Sequence, residues 1–303
     1  MPTPKLSDNL IKQAVAALEE CGGSKSEAAR YLGISRGALR NRLDAADGVI
    51  CSTDKYKKSI ASTRHLVIPD GQVKDDVPLE HWVWIGKYIA EKRPDAIINI
   101  GDFADMPSLS SYNVGKKSFE GRRYKKDIDA SRRAMDLLMN EVSKAPGYNP
   151  IKKLTIGNHE QRIERAIEND SKLDGLISID DLGYEGYGWD VIPFLRPVKI
   201  DGIEYVHYVT SGVMERPAGS AVVALRERQC SVVQGHVQHI DIAIHKKTQK
   251  FALFSGICYQ HKEEYLGEQG NGQKAGIWML NEVCDGQADL LQISLNYLRR
   301  RYG

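Results

Sequence analysis

The segment Asp95–Asp105, with the sequence DAIINIGDFAD, decides the fold of this 303-residue chain. It joins an apolar run to a glycine turn and two aspartates, Asp102 and Asp105. Two other segments have the same form, since RHLVIPD ends at Asp70 and KKLTIGN ends at Asn158. Short apolar runs bounded by glycine and polar residues are typical of buried strands. The pattern therefore predicts three strands with polar residues at their carboxyl ends.

Helix-like stretches separate the three predicted strands. One amphipathic stretch runs from His81 to Glu91, and another runs from about Tyr124 to Val142. Alternation of strands and helices indicates an α/β domain, in which ligands bind at the carboxyl ends of the strands. Beyond residue 190 the pattern changes to shorter strand-like runs, which predict hairpins of a second sheet. These runs are RPVKIDG, IEYVHYV, CSVVQG, IDIAIH, KFALFSG and GIWMLNEV.

The first 48 residues have a different pattern, which predicts three short helices. Residues 8–20 place apolar side chains on one helical face and precede the pair Gly22-Gly23. A second helical stretch, SKSEAARYLG, ends at Gly33, and Ser35 is placed to cap a third one, SRGALRNRLDAA. Residues 49–63 lack periodicity and are rich in Ser, Thr and Lys, as in a linker. The predicted domains are therefore 1–48 and 64–303.

The N-terminal domain resembles the helix-turn-helix module at the C-terminus of Fis-type regulators. The resemblance rests on small or apolar residues at the packing positions of the motif, namely Ala28, Ala29, Leu32, Gly33, Ile34, Ser35, Leu39 and Leu43. It implies that the helix beginning at Ser35 enters the major groove of DNA. The implied candidates for phosphate or base contacts are Arg36, Arg40, Asn41 and Arg42. The alternative is a three-helix cap that packs on the larger domain or mediates dimers. The nearly balanced charge of residues 1–48 weakens the interpretation as a DNA-binding domain.

Two of the later segments contain histidines. His207 lies in EYVHYV, and His236 and His239 lie in QGHVQH. Together with the three earlier segments, these runs resemble the calcineurin-like metallophosphoesterase family. The family pattern is D-x-H, G-D-x-x-D, G-N-H-[DE], a lone H and then G-H-x-H. The resemblance extends from about residue 64 to the C-terminal sheet and implies a four-layer αββα sandwich.

The resemblance assigns metal-binding roles residue by residue. It implies that Asp102 bridges two metal ions and that Asp70 binds the first of them. The second ion is then bound by Asn158, His207 and His236. Carboxylate and amide oxygens suit Mg²⁺ or Mn²⁺, and imidazole accommodates Mn²⁺, Fe²⁺, Ni²⁺ or Zn²⁺. The expected cofactors are therefore two divalent metal ions, with Mn²⁺ favoured.

The sequence departs from the family pattern twice, both times at the first metal. Gln72 stands where D-x-H has its histidine, and Gln238 stands where G-H-x-H has its last histidine. His239 arrives one residue late, so either Gln238 binds through its carbonyl oxygen or a shifted loop presents His239. The short turn of G-H-x-H favours Gln238. A first site of Asp70, Gln72, Asp102 and Gln238 has only oxygen ligands and should prefer Mn²⁺ or Mg²⁺ over Zn²⁺.

The resemblance also implies a reaction and a general acid. It implies hydrolysis of phosphodiester bonds by a hydroxide that bridges the two metal ions. His159 is then the general acid or transition-state stabiliser, and Asp105 orients its imidazole. Met106 stands where the protein-phosphatase branch has a phosphate-binding arginine, which disfavours a protein phosphatase. The basic stretch from Lys116 to Arg133 is a candidate phosphate clamp, with a solvated helix face as the equal alternative.

Composition limits the class of protein. The chain is 42% hydrophobic and 27% charged, as in ordinary globular proteins. It contains neither an apolar run long enough to span a membrane nor an N-terminal signal sequence, so we expect a cytoplasmic protein without a membrane partner. The net charge of +2 does not by itself imply nucleic acid.

Three functions follow as hypotheses. We favour a DNA-directed nuclease or DNA-end-processing enzyme, because the helix-turn-helix and a basic insertion accompany a phosphodiester-cleaving centre. The second hypothesis is a small-molecule phosphohydrolase of nucleotides or cyclic nucleotides. The third is a DNA-binding regulator whose metal centre has decayed. The architecture resembles phage or prophage proteins, which places the chain in a bacterial or phage-infected cell, and helix-turn-helix modules often act as dimers, which allows a homodimer.

Overall fold

The computed structural model describes residues 8–21, 24–43, 62–111, 114–263 and 272–303. The chain divides into two compact units, Met1–Ala61 and Ser62–Gly303. The predicted linker at residues 49–63 lies outside the described residues except for its last two positions. The exact boundaries of the two domains therefore stay a prediction.

The N-terminal unit contains three helices among its described residues. They are α1 (Asp8–Glu20), α2 (Lys25–Tyr31) and α3, which is described over residues 36–43. Gly33, at a φ of 64°, makes the turn between α2 and α3, a conformation that glycine adopts without strain. The hydroxyl of Ser35 accepts a hydrogen bond from the backbone N–H of Ala38 at 3.1 Å, which is the predicted cap of α3. The helices pack through Ala14, Ala17, Ala28, Ala29 and Leu39.

The larger unit contains two sheets and a short ribbon. Its described strands are β1 (Thr63–Ile68), β2 (Ala96–Asn99), β3 (Ile151–Thr155), β4 (Asp190–Ile192), β5 (Val198–Ile200), β6 (Ile203–Tyr205), β7 (Thr210–Ser211), β8 (Arg216–Pro217), β9 (Ser231–Gln234), β10 (Ile240–Ile244), β11 (Phe251–Ser255), β12 (Gly276–Cys284) and β13 (Gln287–Ser294). The first sheet has the strand order β13-β12-β1-β2-β3-β4. The second has the order β10-β11-β9-β6-β5, and β7 pairs with β8.

Five helices accompany these strands in the described part of the larger unit. They are α4 (Glu80–Lys92), α5 (Tyr124–Ser143), α6 (Arg162–Asn169), α7 (Ala221–Arg228) and α8 (Leu295–Tyr302). Short 3₁₀ turns lie at Pro107–Leu109, Lys117–Phe119, Ser171–Leu173, Ile179–Leu182 and Tyr184–Tyr187. The helices α4 and α5 cover the two amphipathic stretches predicted from the sequence. None of the helices in the described ranges is long and apolar enough to cross a membrane.

Three apolar cores join the layers of the larger unit. Successive residues of a strand point to opposite faces of its sheet. Leu66 and Ile97 accordingly pack toward α4, α5 and α8, whereas their neighbours Val67 and Ile98 pack toward the second sheet. The outer face of the second sheet, including Phe254, packs on α7. The order helix, sheet, sheet, helix confirms the predicted αββα sandwich.

The C-terminal strands differ from the predicted hairpins of a second sheet. The run GIWMLNEV forms β12, which pairs antiparallel with β1 and β13 and so belongs to the first sheet. Ile277 and the adjacent Trp278 lie in different cores, so β12 is buried on both faces, as a central strand is. In the second sheet, β9 is parallel to both β6 and β11. Strand periodicity is local and does not specify the partner of a strand, which is why this expectation was wrong.

Candidate metal centre

Five segments meet where the parallel strands of the two sheets end. The strands β1, β2 and β3 are parallel neighbours, and Asp70, Asp102 and Asn158 follow them closely. In the second sheet, β6 and β9 are parallel neighbours, followed by His207 and His236. Neighbouring parallel strands end at the same edge of a sheet. The topology therefore brings together residues that are far apart in sequence.

Asp102, His207 and His236 form a group that can hold a metal ion. One ligand atom from each residue lies within 4.8 Å of the other two. Oδ1 of Asn158 lies 3.0 Å from Nε2 of His207 and 2.7 Å from Nδ1 of His236. Nε2 of His207 lies 3.3 Å from Oδ2 of Asp102. The structure thus brings together the residues predicted for the second metal, whose role as ligands stays a prediction.

Asp70 provides a buried carboxylate beside this group. Its Oδ1 accepts a hydrogen bond from the backbone N–H of His236 at 3.0 Å, whereas its Oδ2 has no hydrogen-bond partner among the described residues. Burial and the nearby charge of Asp102 raise the pKa of Asp70 to about 7. An ionised carboxylate oxygen that is buried without a donor is costly, and a divalent cation offsets that cost. The donor set therefore fits a metal ion.

The two glutamines predicted for the first metal are buried, and the later histidine lies elsewhere. Gln72 and Gln238 are 0% and 8% exposed. Both have a positive φ, which is uncommon outside glycine and clusters at functional sites. Oε1 of Gln238 accepts a hydrogen bond from the hydroxyl of Tyr259 at 3.2 Å. The ring of His239 lies 6.0 Å from that of Phe254, a residue of the core between the second sheet and α7.

Two glycines allow the loops to approach these carboxylates. A Cβ atom on Gly157 would collide with Oδ1 of Asp102, and one on Gly235 would collide with Oδ1 of Asp70. The glycines of GNHE and QGHVQH are therefore required by close packing against candidate ligands. Any side chain at either position would displace a carboxylate.

The pKa values of the two candidate histidine ligands shift in opposite directions. Burial lowers the pKa of His207, but the charge of Asp102 outweighs it and raises the pKa to about 9. Burial and the neighbouring His207 lower the pKa of His236 to about 4. Because imidazole binds a metal only when neutral, His207 must release its proton on metal binding.

His159 and Asp105 are in direct contact, as the sequence predicted. Nδ1 of His159 lies 2.7 Å from Oδ1 of Asp105, and its Nε2 lies 3.7 Å from Oδ2 of Asp102. Burial lowers the pKa of His159, but Asp102 and Asp105 outweigh it and raise the pKa above its usual value. Burial likewise raises the pKa of Asp105, but His159 outweighs it and holds that pKa below its usual range. Both shifts favour a protonated imidazole beside an ionised carboxylate, and Nε2 is on the side of Asp102.

Three cations beside the centre were not predicted from the sequence. Nζ of Lys74 lies 3.3 Å from Oδ2 of Asp105. Arg162, on α6, donates from Nη1 to the carbonyl oxygen of Asp105 at 2.7 Å, and Arg165 donates to the carbonyl oxygen of Asn158. The sequence GNHEQRIER could have indicated the two arginines, because they are three residues apart and share one face of a helix directly after GNHE.

The basic stretch from Lys116 to Arg133 is partly neutralised by acidic neighbours. Arg122 pairs with Asp76 and Arg133 pairs with Asp75, each at 3.1 Å. A cavity of about 420 Å³ lies here, with four basic and four acidic side chains in its lining. They are Lys117, Arg122, Arg123 and Lys126, and Asp75, Asp76, Glu120 and Asp127. Because the acidic side chains offset the basic ones, this stretch is not favoured as the phosphate-binding site.

The candidate DNA-binding residues lie on α3. Arg36, Arg40 and Asn41 are exposed, and Arg42 is half-buried. The guanidinium of Arg36 contacts the hydroxyl of Ser26 on α2. The exposed face of α3 thus carries two arginines and an amide.

Residues 15–45 match the family described as bacterial regulatory protein, Fis family. The match confirms the Fis-type helix-turn-helix predicted for the N-terminus. It covers these helices alone.

The chain is also similar to two phage proteins. It is 28% identical over 191 residues to the gene 54 protein of Mycobacterium phage L5, which covers 61% of this chain and 72% of that protein. It is 26% identical over 198 residues to the gene 54 protein of Mycobacterium phage D29, with the same coverage. These relatives confirm the predicted resemblance to phage proteins.

Among solved structures, one similar chain is a conserved uncharacterized protein of Streptococcus pneumoniae TIGR4, described as a predicted phosphoesterase. The two chains are 11% identical, and the match covers 78% of this chain and 100% of the other at a TM-score of 0.31.

Proposed function

We propose that this chain is a metal-dependent phosphodiesterase that acts on DNA. The observation that carries the proposal is the convergence of Asp102, Asn158, His207 and His236, from four separate segments, into one group of ligand atoms. Beside it lies Asp70, a buried carboxylate with an oxygen that a cation would satisfy. Carboxylate, amide and imidazole ligands together suit Mn²⁺, which is the favoured ion, and accommodate Fe²⁺, Ni²⁺ or Zn²⁺.

The ligands divide into two sets that share Asp102. Asn158, His207 and His236 would hold one ion, and Asp70, Gln72 and Gln238 would hold the other. Divalent ions at these positions supply a water of lowered pKa and neutralise charge on the phosphate. Amide oxygens are weaker donors than imidazole to transition metals, so we expect the set with the glutamines to bind its ion more weakly than the set with the histidines.

His159 acts as the general acid in this proposal. Its Nδ1 is held by Asp105, so that Nε2 carries the proton that passes to the leaving oxygen. Burial lowers the pKa of His159, but Asp102 and Asp105 outweigh it and raise the pKa, which favours the protonated imidazole that a general acid needs. A carboxylate that fixes the imidazole also fixes which nitrogen faces the substrate.

DNA is the proposed substrate because the N-terminal helices match a family of DNA-binding regulators. Arg36, Arg40 and Asn41 are exposed on α3, where a recognition helix presents its contacts. In that case Arg40→Ala weakens binding to duplex DNA and leaves hydrolysis of a small phosphodiester intact. A gel-shift titration and a colorimetric assay separate these two properties.

The function is tested by incubating the chain with Mn²⁺ and linear, nicked or single-stranded DNA. We expect cleavage by the natural chain and by Asp289→Ala, which removes an exposed carboxylate on β13, and none by Asp102→Ala. Equal background cleavage by all three proteins would sink the proposal. Turnover of free nucleotides or cyclic nucleotides without DNA cleavage would instead favour the small-molecule phosphohydrolase.

A further inference from the structure

We infer that Arg162 binds the phosphate group of the substrate directly and forms, with Nε2 of His159, an oxyanion subsite beside the metal centre. This inference rests on the proposed phosphoesterase function. It adds a residue that contacts the phosphate. The basic stretch in α5 and its preceding loop is a weaker candidate for this role, because Asp75 and Asp76 partly neutralise it.

The two terminal nitrogens of Arg162 have different surroundings. Nη1 lies 2.7 Å from the carbonyl oxygen of Asp105, 3.3 Å from its Oδ1 and 3.4 Å from the carbonyl oxygen of Met106. Nη2 lies 3.4 Å from Nε2 of His159. One half of the guanidinium therefore anchors the side chain. The other half faces the imidazole nitrogen that the proposed mechanism directs at the substrate.

Asp105 contacts three basic side chains, those of Lys74, His159 and Arg162. Oδ1 of Asp105 binds Nδ1 of His159, and Oδ2 lies 3.3 Å from Nζ of Lys74. Lys74 in turn pairs with Glu263 at 2.7 Å, so its charge is already offset. The carboxylate of Asp105 thus contacts both the guanidinium of Arg162 and the imidazole of His159. The carboxylate of Asp102 is also near His159, but in the proposed function it is offset by the metal ions. An oxyanion placed against Nη2 and Nε2 completes this arrangement.

The subsite lies next to the candidate metal ligands. Nε2 of His159 is 3.7 Å from Oδ2 of Asp102, so this nitrogen is close both to Nη2 of Arg162 and to the carboxylate proposed to bridge the ions. The side chains of Arg162 and His159 are only 15% and 10% exposed. Charge-assisted hydrogen bonds are strong where little water competes, and the forked donors of arginine match the oxygens of phosphate. The ligand class that fits is a tetrahedral phosphate.

The test is the equilibrium binding of inorganic phosphate to the full Mn²⁺-loaded chain, measured by isothermal titration calorimetry. We expect Arg162→Met to weaken phosphate binding by roughly 10- to 100-fold, since one charge-assisted hydrogen bond is lost. Arg162→Lys should weaken it less, because the charge remains and only the fork is lost. The matched control is Arg226→Met, which removes an exposed arginine of α7 and should leave phosphate binding unchanged.

Arg162 could affect phosphate binding only indirectly, by holding Asp105 in place. A double-mutant cycle distinguishes this indirect effect from direct contact with the phosphate. In an Asp105→Asn background, Arg162→Met should still weaken phosphate binding if the guanidinium touches the anion. Loss of the effect in that background, or phosphate binding by Arg162→Met within threefold of the natural chain, overturns the inference. Thermal melting monitors the fold of each variant, and Arg162→Lys decides the question if Arg162→Met does not fold.

The outcome is separable from that of the proposed function. Phosphate binding is read at equilibrium and requires no turnover of DNA. If the chain cleaves no DNA but Arg162→Met still weakens phosphate binding in both backgrounds, the choice of substrate is wrong and the phosphate subsite stands. If DNA is cleaved and phosphate binding does not depend on Arg162, the subsite is wrong and the function stands.

Discussion

Glu160 holds Asp102 in place through the backbone. Oε2 of Glu160 accepts the N–H of Asp102 at 3.0 Å and also that of Gly157 at 3.0 Å. Its Oε1 accepts the N–H of Ala104 at 3.0 Å. One buried carboxylate therefore joins the loop after β2 to the loop after β3. The last residue of GNHE therefore positions the candidate bridging ligand through backbone hydrogen bonds.

Replacing Glu160 by glutamine should disturb both loops. The side-chain NH₂ group would face a backbone N–H donor, and at least one buried donor would be left without an acceptor, at a cost of about 1–3 kcal/mol. Because residues that orient metal ligands typically change affinity by roughly 10- to 100-fold, we expect Mn²⁺ binding to weaken by that factor. Calorimetric Mn²⁺ titration and urea unfolding measure the two effects. Glu168→Gln, an exposed change on α6, is the control, and equal Mn²⁺ affinity in both variants would contradict this role.

Without metal, the chain should lose stability as the pH rises from 7 to 9. The folded pKa of His207 is raised to about 9, so the stability it contributes is complete below its unfolded pKa and is lost as the pH rises through 9. Asp70, whose pKa is raised to about 7, acts in the same direction but at lower pH, because its contribution is lost between its unfolded pKa of about 4 and pH 7. The loss is on the order of 3 kcal/mol for His207 alone. Urea unfolding in a chelator at several pH values measures it.

Saturating Mn²⁺ should reverse this pH dependence. The metal binds neutral imidazole and ionised carboxylate, so its affinity rises as His207 and Asp70 lose their protons. Metal-free stability that stays constant or increases between pH 7 and 9 would show that His207 does not hold its proton against Asp102.

Removal of the general acid should depend on the leaving group. His159→Ala should lower kcat for an oligonucleotide by about 10²- to 10⁴-fold, because its leaving alkoxide needs a proton. The loss should be far smaller for bis(p-nitrophenyl) phosphate, whose leaving group is stable as an anion. Steady-state kinetics with both substrates measure the difference. An equal loss for the two would assign His159 to binding and not to proton transfer.

Changes at Gln238 and His239 should separate the two candidate ligands of the first metal. Gln238 is buried and accepts a hydrogen bond from Tyr259, whereas His239 packs near Phe254. We therefore expect Gln238→Ala to reduce the bound Mn²⁺ from two ions to one. Gln238→His should increase the affinity of this site for Zn²⁺, since imidazole is the softer ligand. Metal analysis by mass spectrometry gives the stoichiometry. Loss of an ion in His239→Ala, with none lost in Gln238→Ala, would reverse the assignment.

The strands that carry the candidate site were predictable because their signal is local. The apolar runs before Asp70, Asp102 and Asn158 form β1, β2 and β3, and the helical faces between them form α4 and α5. The partner of β12 was not predictable, since both sheets offer apolar surface and pairing depends on residues far away in sequence. The same limit applies to Arg162, whose charge is visible in the sequence but whose contact with His159 depends on how α6 is placed.

By itself, the sequence determined the types and the order of the candidate ligands and the three N-terminal helices, because these depend on neighbouring residues and on periodicity. Only the tertiary structure decided which atoms meet. Oδ1 of Asn158 lies within hydrogen-bond distance of both His207 and His236. Oδ2 of Asp70 is buried without a donor among the described residues. The ring of His239 packs near Phe254, in the core between the second sheet and α7. Distances of this kind follow from the packing of two sheets against each other, which no local pattern encodes.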